Sequence, residues 1–108
     1  MIDWDQVDEL RADMGEGFDE VVEVFLQEVE GGLERLDPAA GAAAVAAEMH
    51  FLKGAALNLG FRAFARLCAE GEASANAGKV AGEDLDAVRS AYRDSREAFM
   101  AGLSRRAA

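Results

Sequence analysis

From Phe18 onward, apolar residues return every third or fourth position, at Phe18, Val21, Val22, Phe25, Leu26, Val29, Leu33 and Leu36, with acidic side chains between them. A period near 3.6 gathers those positions onto one stripe of a long helix and turns its charged face to water. Fainter versions of the pattern recur on both sides. Before it, Trp4, Val7, Leu10 and Met14 predict a short first helix, capped by Asp3 and broken by Gly15 and Gly17. After it, Asp37-Pro38 stops one helix and offers the cap and first residue of the next, an Ala-rich segment expected from about Pro38 to Leu59. Beyond Gly60, the residues Phe61, Phe64, Leu67, Cys68, Gly71 and Ala75 mark another helix, closed by Gly78 and Gly82. The last is expected from Glu83 to about Leu103, with Leu85, Val88, Tyr92, Phe99, Met100 and Leu103 turned inward.

No stretch alternates with the period of two that a half-buried strand requires. Four helices of roughly 15–20 residues joined by short turns pack as antiparallel neighbours. The expected fold is therefore all-α: an antiparallel up-down four-helix bundle with a short additional N-terminal helix as a lid. A chain of 108 residues builds one core, so a single domain over 1–108 is expected.

The segment before Gly60 holds the only histidine, in the run HFLKG at residues 50–54. At about 100° per residue, Val45, Met49, Leu52, Ala56 and Leu59 form a compact core stripe, and His50 points well away from it. Ala43, Ala46, Ala47, Lys53, Gly54, Leu57 and, if the helical phase persists, Phe61 fall within about 60° of His50. The imidazole is thus expected on a surface of mostly small side chains that a flat partner can reach.

Charge narrows the choice of partners. Twenty-one acidic against eleven basic residues give a net charge of −10, which repels nucleic-acid backbones and anionic lipid surfaces. Residues 1–37 alone carry thirteen Asp or Glu and two Arg, while the remainder, which holds His50, is nearly neutral. No apolar run reaches the ~20 residues of a membrane helix, and the N-terminus is acidic where a signal peptide is basic, so a cytoplasmic protein is expected. One cysteine and one histidine leave little for a metal site of its own, and no phosphate-binding loop follows a strand.

Within HFLKG the parts fit one chemistry. A glycine inside a helix costs roughly 1 kcal/mol relative to Ala. Gly54 stands one turn beyond His50 on its face, where a side chain is expected to crowd the ring. Lys53, also one turn away, supplies a cation suited to an anionic group on the imidazole. A neutral imidazole is a nucleophile, and free histidine titrates near ~6.5. Phosphorus is the expected target, since no activated hydroxyl or thiol surrounds His50 for acyl chemistry.

HFLKGAALNLG resembles the signature of histidine-containing phosphotransfer (HPt) domains: His, any residue, Leu, Lys, Gly, two small residues, two variable ones, a hydrophobic residue and Gly. The similarity extends over nearly the whole chain, including the cysteine at 68. It implies a phosphoryl carrier rather than an enzyme. His50 accepts a phosphoryl group from a receiver-domain aspartate, or from a histidine kinase, and passes it to another receiver, which supplies the Mg²⁺. Such domains often place Gln or Glu on the following helix, facing the ring. The corresponding residue here is Glu72, whose carboxylate would take the Nδ1 proton and leave Nε2 to attack. Receiver domains, including those of hybrid kinases, are the partners the resemblance implies, and the face around His50 places their expected docking at Ala43, Ala47, Phe51, Leu57, Phe61 and Arg62, on a carrier taken as monomeric by default. Two departures stand out: Met49 replaces the Ala common before the histidine, and Leu57 is bulkier than the small residue usual there.

Plainer readings compete. Cys68 lies on an apolar stripe and reads as core. Phe51, Leu57 and Phe61 also suit partial burial, Arg62 and Arg66 suit ordinary solvation, and the acidic first third suits solubility. A helical adaptor that binds a receiver or kinase without carrying phosphate is the alternative from another functional class.

Overall fold

The computed structural model describes residues 1–107. Five α-helices succeed one another: α1 (Trp4–Met14), α2 (Phe18–Arg35), α3 (Ala42–Leu59), α4 (Arg62–Asn76) and α5 (Gly82–Ala107). The last four form an antiparallel bundle with α1 laid across it, and the fold as a whole extends 45 × 20 × 19 Å. No described helix is long and apolar enough to cross a membrane.

The α2 stripe packs as its pattern dictates. Phe18, Val22, Leu26, Val29, Leu33 and Leu36 are buried, and Val21 and Phe25 are half-buried at its edges. Its carboxyl end, where carbonyls lack helical partners, is closed by another element. Arg89 of α5 donates to the carbonyls of Leu36 at 2.6 Å and Leu33 at 3.3 Å. Further along the same pair, the Tyr92 hydroxyl donates to Glu30 Oε2 at 2.6 Å.

Asp37 caps as expected, accepting from the Ala39 amide, but the turn it opens is only a 3₁₀ turn over Pro38–Ala40. Gly41, at φ +94°, breaks the chain's direction, so α3 starts at Ala42 rather than Pro38. At its other end Gly60 takes the left-handed φ of +75° and its amide returns to Leu57 O, a glycine C-cap. A side chain there would be strained and would also clash, since its Cβ would stand 2.6 Å from Asp3 O.

That approach anchors the N-terminus. The Asp3 amide donates to Gly60 O at 2.7 Å and the Arg62 amide to Met1 O at 3.1 Å, pairing Ile2 with Phe61 in a short antiparallel bridge. Asp3 also accepts from the Gln6 amide, capping α1 as expected. Trp4 stacks on Phe99 of α5, and Gly102 makes room for it, because a Cβ there would overlap the indole ring.

Several inward assignments need correction. Met14 and Met100 are exposed: Met14 is the last residue of α1, where the chain turns away at Gly15, and Met100 lies beside rather than on the buried line of Leu85, Val88, Tyr92, Ser95 and Phe99. Ser95 places a polar side chain on that line, where the apolar pattern predicts none. Phe61 is fully buried against Phe99 and Tyr92, with ring centroids 5.2 and 6.3 Å away.

Candidate functional site

Helices α3 and α4 form the hairpin that carries HFLKG. Val45, Met49, Leu52, Ala56 and Leu59 all point into the core with at most 2 % exposure, so the phase assigned to α3 holds. The hairpin is tight because Gly71 of α4 faces Met49; a Cβ at 71 would lie 2.8 Å from the methionine methyl. Met49, the departure from the usual Ala, is thus accommodated by a glycine on the facing helix.

His50 lies on the outer flank of this hairpin with 70 % of its side chain exposed. The next residue after Gly71 is Glu72, and it reaches across to the ring. Its Oε2 stands 3.0 Å from His50 Nδ1, and its Oε1 accepts from Lys53 Nζ at 2.7 Å. One carboxylate therefore joins an imidazole and an ammonium contributed one turn apart by α3. A carboxylate can only accept, so this contact calls for a proton on Nδ1, and in the neutral ring that leaves the lone pair on Nε2, facing away from Glu72. The hydrogen bond from Lys53 is the main influence holding the Glu72 carboxyl below its ordinary range, opposed by partial burial and assisted by His50.

Small residues surround the ring. Ala43, Ala46, Ala47, Glu72 and Asn76 border a shallow depression at His50. Ala43 and Ala47 are exposed, whereas Ala46 turns into the core. A Cβ placed on Gly54 would meet nothing within 4 Å. The expectation that any side chain there crowds the imidazole is thus too strong, since a Cβ alone does not reach the ring. Phe51 and Leu57 are exposed, at 40 % and 55 %, Leu57 on the face of His50 and Gly54 and Phe51 to its side.

Two docking assignments change. Extending the phase of α3 places Phe61 on the histidine face, but the left-handed Gly60 turns the chain and sends its ring into the core. It has no surface to offer a partner. Arg62 is exposed but forms an ion pair with Asp3 at 3.2 Å, so it also fastens the N-terminal segment. Cys68 is fully buried, and burial pushes its thiol up to about 12. Among the described residues, no three His, Cys, Asp or Glu side chains converge as a metal-holding group.

The pairing of Lys53 with Glu72 escapes a reading made one helix at a time. The chain matches the family model described as the Hpt domain over residues 20–98, from the start of α2 into α5. No curated protein and no solved structure matches it. With that match covering most of its length, the chain belongs to the Hpt domain family, whose members take part in phosphorelays as phosphoryl carriers rather than as enzymes.

Proposed function

We propose that this chain carries its phosphoryl group on His50, between the aspartates of receiver domains or from a histidine kinase to a receiver. The lone pair on Nε2 attacks the phosphorus of a receiver's aspartyl phosphate. The N–P bond forms as the P–O bond to aspartate breaks, and the aspartate carboxylate keeps the electron pair. Transfer onward reverses these steps on a second receiver, with Mg²⁺ held by the receiver in each case. Such a transfer needs in-line approach and charge neutralisation more than extra groups on the carrier.

The observation that carries the reading is the 3.0 Å contact between Glu72 and Nδ1 on a ring left 70 % exposed. It fixes the proton on one nitrogen and presents the other to solvent. Gly54 leaves the approach clear, and Ala43, Ala47, Phe51 and Leu57 provide a mixed small and apolar face for the receiver, with Arg62 at its edge. Residues 1–108 act as one unit in this proposal, a cytoplasmic monomer.

The test is to incubate the protein with a phosphorylated receiver domain and Mg²⁺. The chain should acquire a label that is base-stable and acid-labile, as expected of phosphohistidine, and His50→Gln should not. A wild type that never takes label, while binding the receiver as well as His50→Gln does, would make the chain an adaptor.

A further inference from the structure

An anionic carboxylate beside an imidazole has two opposed effects on a phosphoryl acceptor. It fixes the productive tautomer, but it also favours the imidazolium, which has no lone pair on Nε2 and cannot attack. Glu72 touches Nδ1 at 3.0 Å and is exposed to that conflict. Its second oxygen, however, holds Lys53 Nζ at 2.7 Å, the shorter of the two contacts. The ammonium is spent on the carboxylate, on the Nδ1 side of the ring. Phosphate would be attached at Nε2.

We infer that Lys53 acts as a positioning residue, the counter-charge that lets Glu72 orient His50 without trapping it as the cation, and not chiefly as a ligand for the transferred phosphate. This rests on the reading of His50 as the acceptor. It specifies how that acceptor is kept in its reactive state.

The charged surroundings are simple enough to support it. From α4, the helix packed against the ring, Glu72 is the charged group at the imidazole, and Asn76 beside it is neutral. From α3 itself the charged neighbours are Lys53 and Glu48. Glu48 is turned toward α2, where Arg35 holds it at 3.0 Å. Gln at position 72 would orient the ring through its amide oxygen without needing a cation. With Glu at 72 there is a charge to offset, and the 2.7 Å contact makes Lys53 and Glu72 one device in this chain.

The consequence is a double-variant test. As the only histidine, His50 gives a single set of imidazole resonances, so its titration can be followed by NMR in the intact chain. Removing Lys53 as Lys53→Met should move the midpoint up, by less than for a buried pair because the ring is largely exposed. Labelling by phosphoramidate, a small phosphodonor that needs no protein partner, should then be slowed at pH 6.5 and recover at higher pH. Adding Glu72→Gln to Lys53→Met should return both the midpoint and the labelling rate to near their wild-type values.

A midpoint unmoved in Lys53→Met would overturn the inference. So would a double variant as slow as Lys53→Met, since a lost phosphate ligand is not restored by neutralising Glu72. A wild type that accepts label but fails either comparison refutes this inference alone. A wild type that accepts none refutes the assignment of His50 as well.

Discussion

Gly54 offers a clean separation of stability from function. It lies inside α3, is exposed, and a Cβ there meets no atom within 4 Å. An added Cβ therefore removes no contact and creates no clash within the chain. The remaining effect is the intrinsic cost of glycine in a helix, so Gly54→Ala and Gly54→Leu should each stabilise the fold by about 1 kcal/mol. For a domain near this size that raises the melting temperature by roughly 4–8 °C. Thermal melts followed by circular dichroism would measure it. Transfer should respond in the opposite sense for Leu, whose branched side chain stands one turn from the imidazole on the surface proposed for receiver docking. In-line attack requires the reacting atoms within about 3–3.5 Å, and a displacement near 1 Å can cost about 100-fold. We expect a loss of that order in transfer from a receiver to Gly54→Leu, with labelling by phosphoramidate unchanged because so small a donor passes the side chain. A Gly54→Leu protein that is less stable than wild type would contradict the account of the free space. One that exchanges phosphate with receivers at the wild-type rate would remove the docking argument.

Phe61→Ala should cost about 3–5 kcal/mol by urea denaturation, the range for emptying a buried aromatic site; a loss below about 1 kcal/mol would restore Phe61 to the surface. The Cys68 thiol, raised to about 12 by burial, should resist thiol reagents at pH 8 in the folded protein and react once urea unfolds it, and fast native labelling would show that α4 does not bury it. Glu72 is held below its ordinary value of 4.5, so the stability it confers is present above that pH and is lost as pH falls through its depressed value. The gap in stability between wild type and Glu72→Gln should therefore be seen at pH 7 and close in strong acid, and a gap that widened toward acid would reverse the sign of the argument.

The helices are legible in the sequence wherever apolar and charged residues contrast. The α2 stripe is the clearest case, since its acidic face leaves one face for burial. The start of α3 is obscured because alanine marks neither an inside nor an outside. PAAGAAAV reads as continuous helix until Gly41 takes a positive φ that the pattern does not encode. Phe61 is misplaced by the pattern for a related reason: angular arithmetic survives only as far as the helix does, and Gly60 resets it. Met100 shows that a flexible, weakly amphipathic side chain is a poor guide to facing. At the site, the outward phase of His50 follows from α3 alone. The position of Glu72 comes through the family resemblance, because no single-helix wheel relates α3 to α4. For the same reason the bond between Lys53 and Glu72 is hidden in the sequence, although each residue stands out there by itself.

Gly71 carries a consequence beyond packing. It presses on Met49 with no side chain of its own, and its neighbour Glu72 reaches the imidazole. The thickness of that apolar contact is in effect the gauge for the proton-holding bond on the outer flank. A methyl group added at 71 would meet the Met49 side chain at 2.8 Å and force it to shift, so the span that Glu72 bridges to the ring is set in part by a contact inside the core.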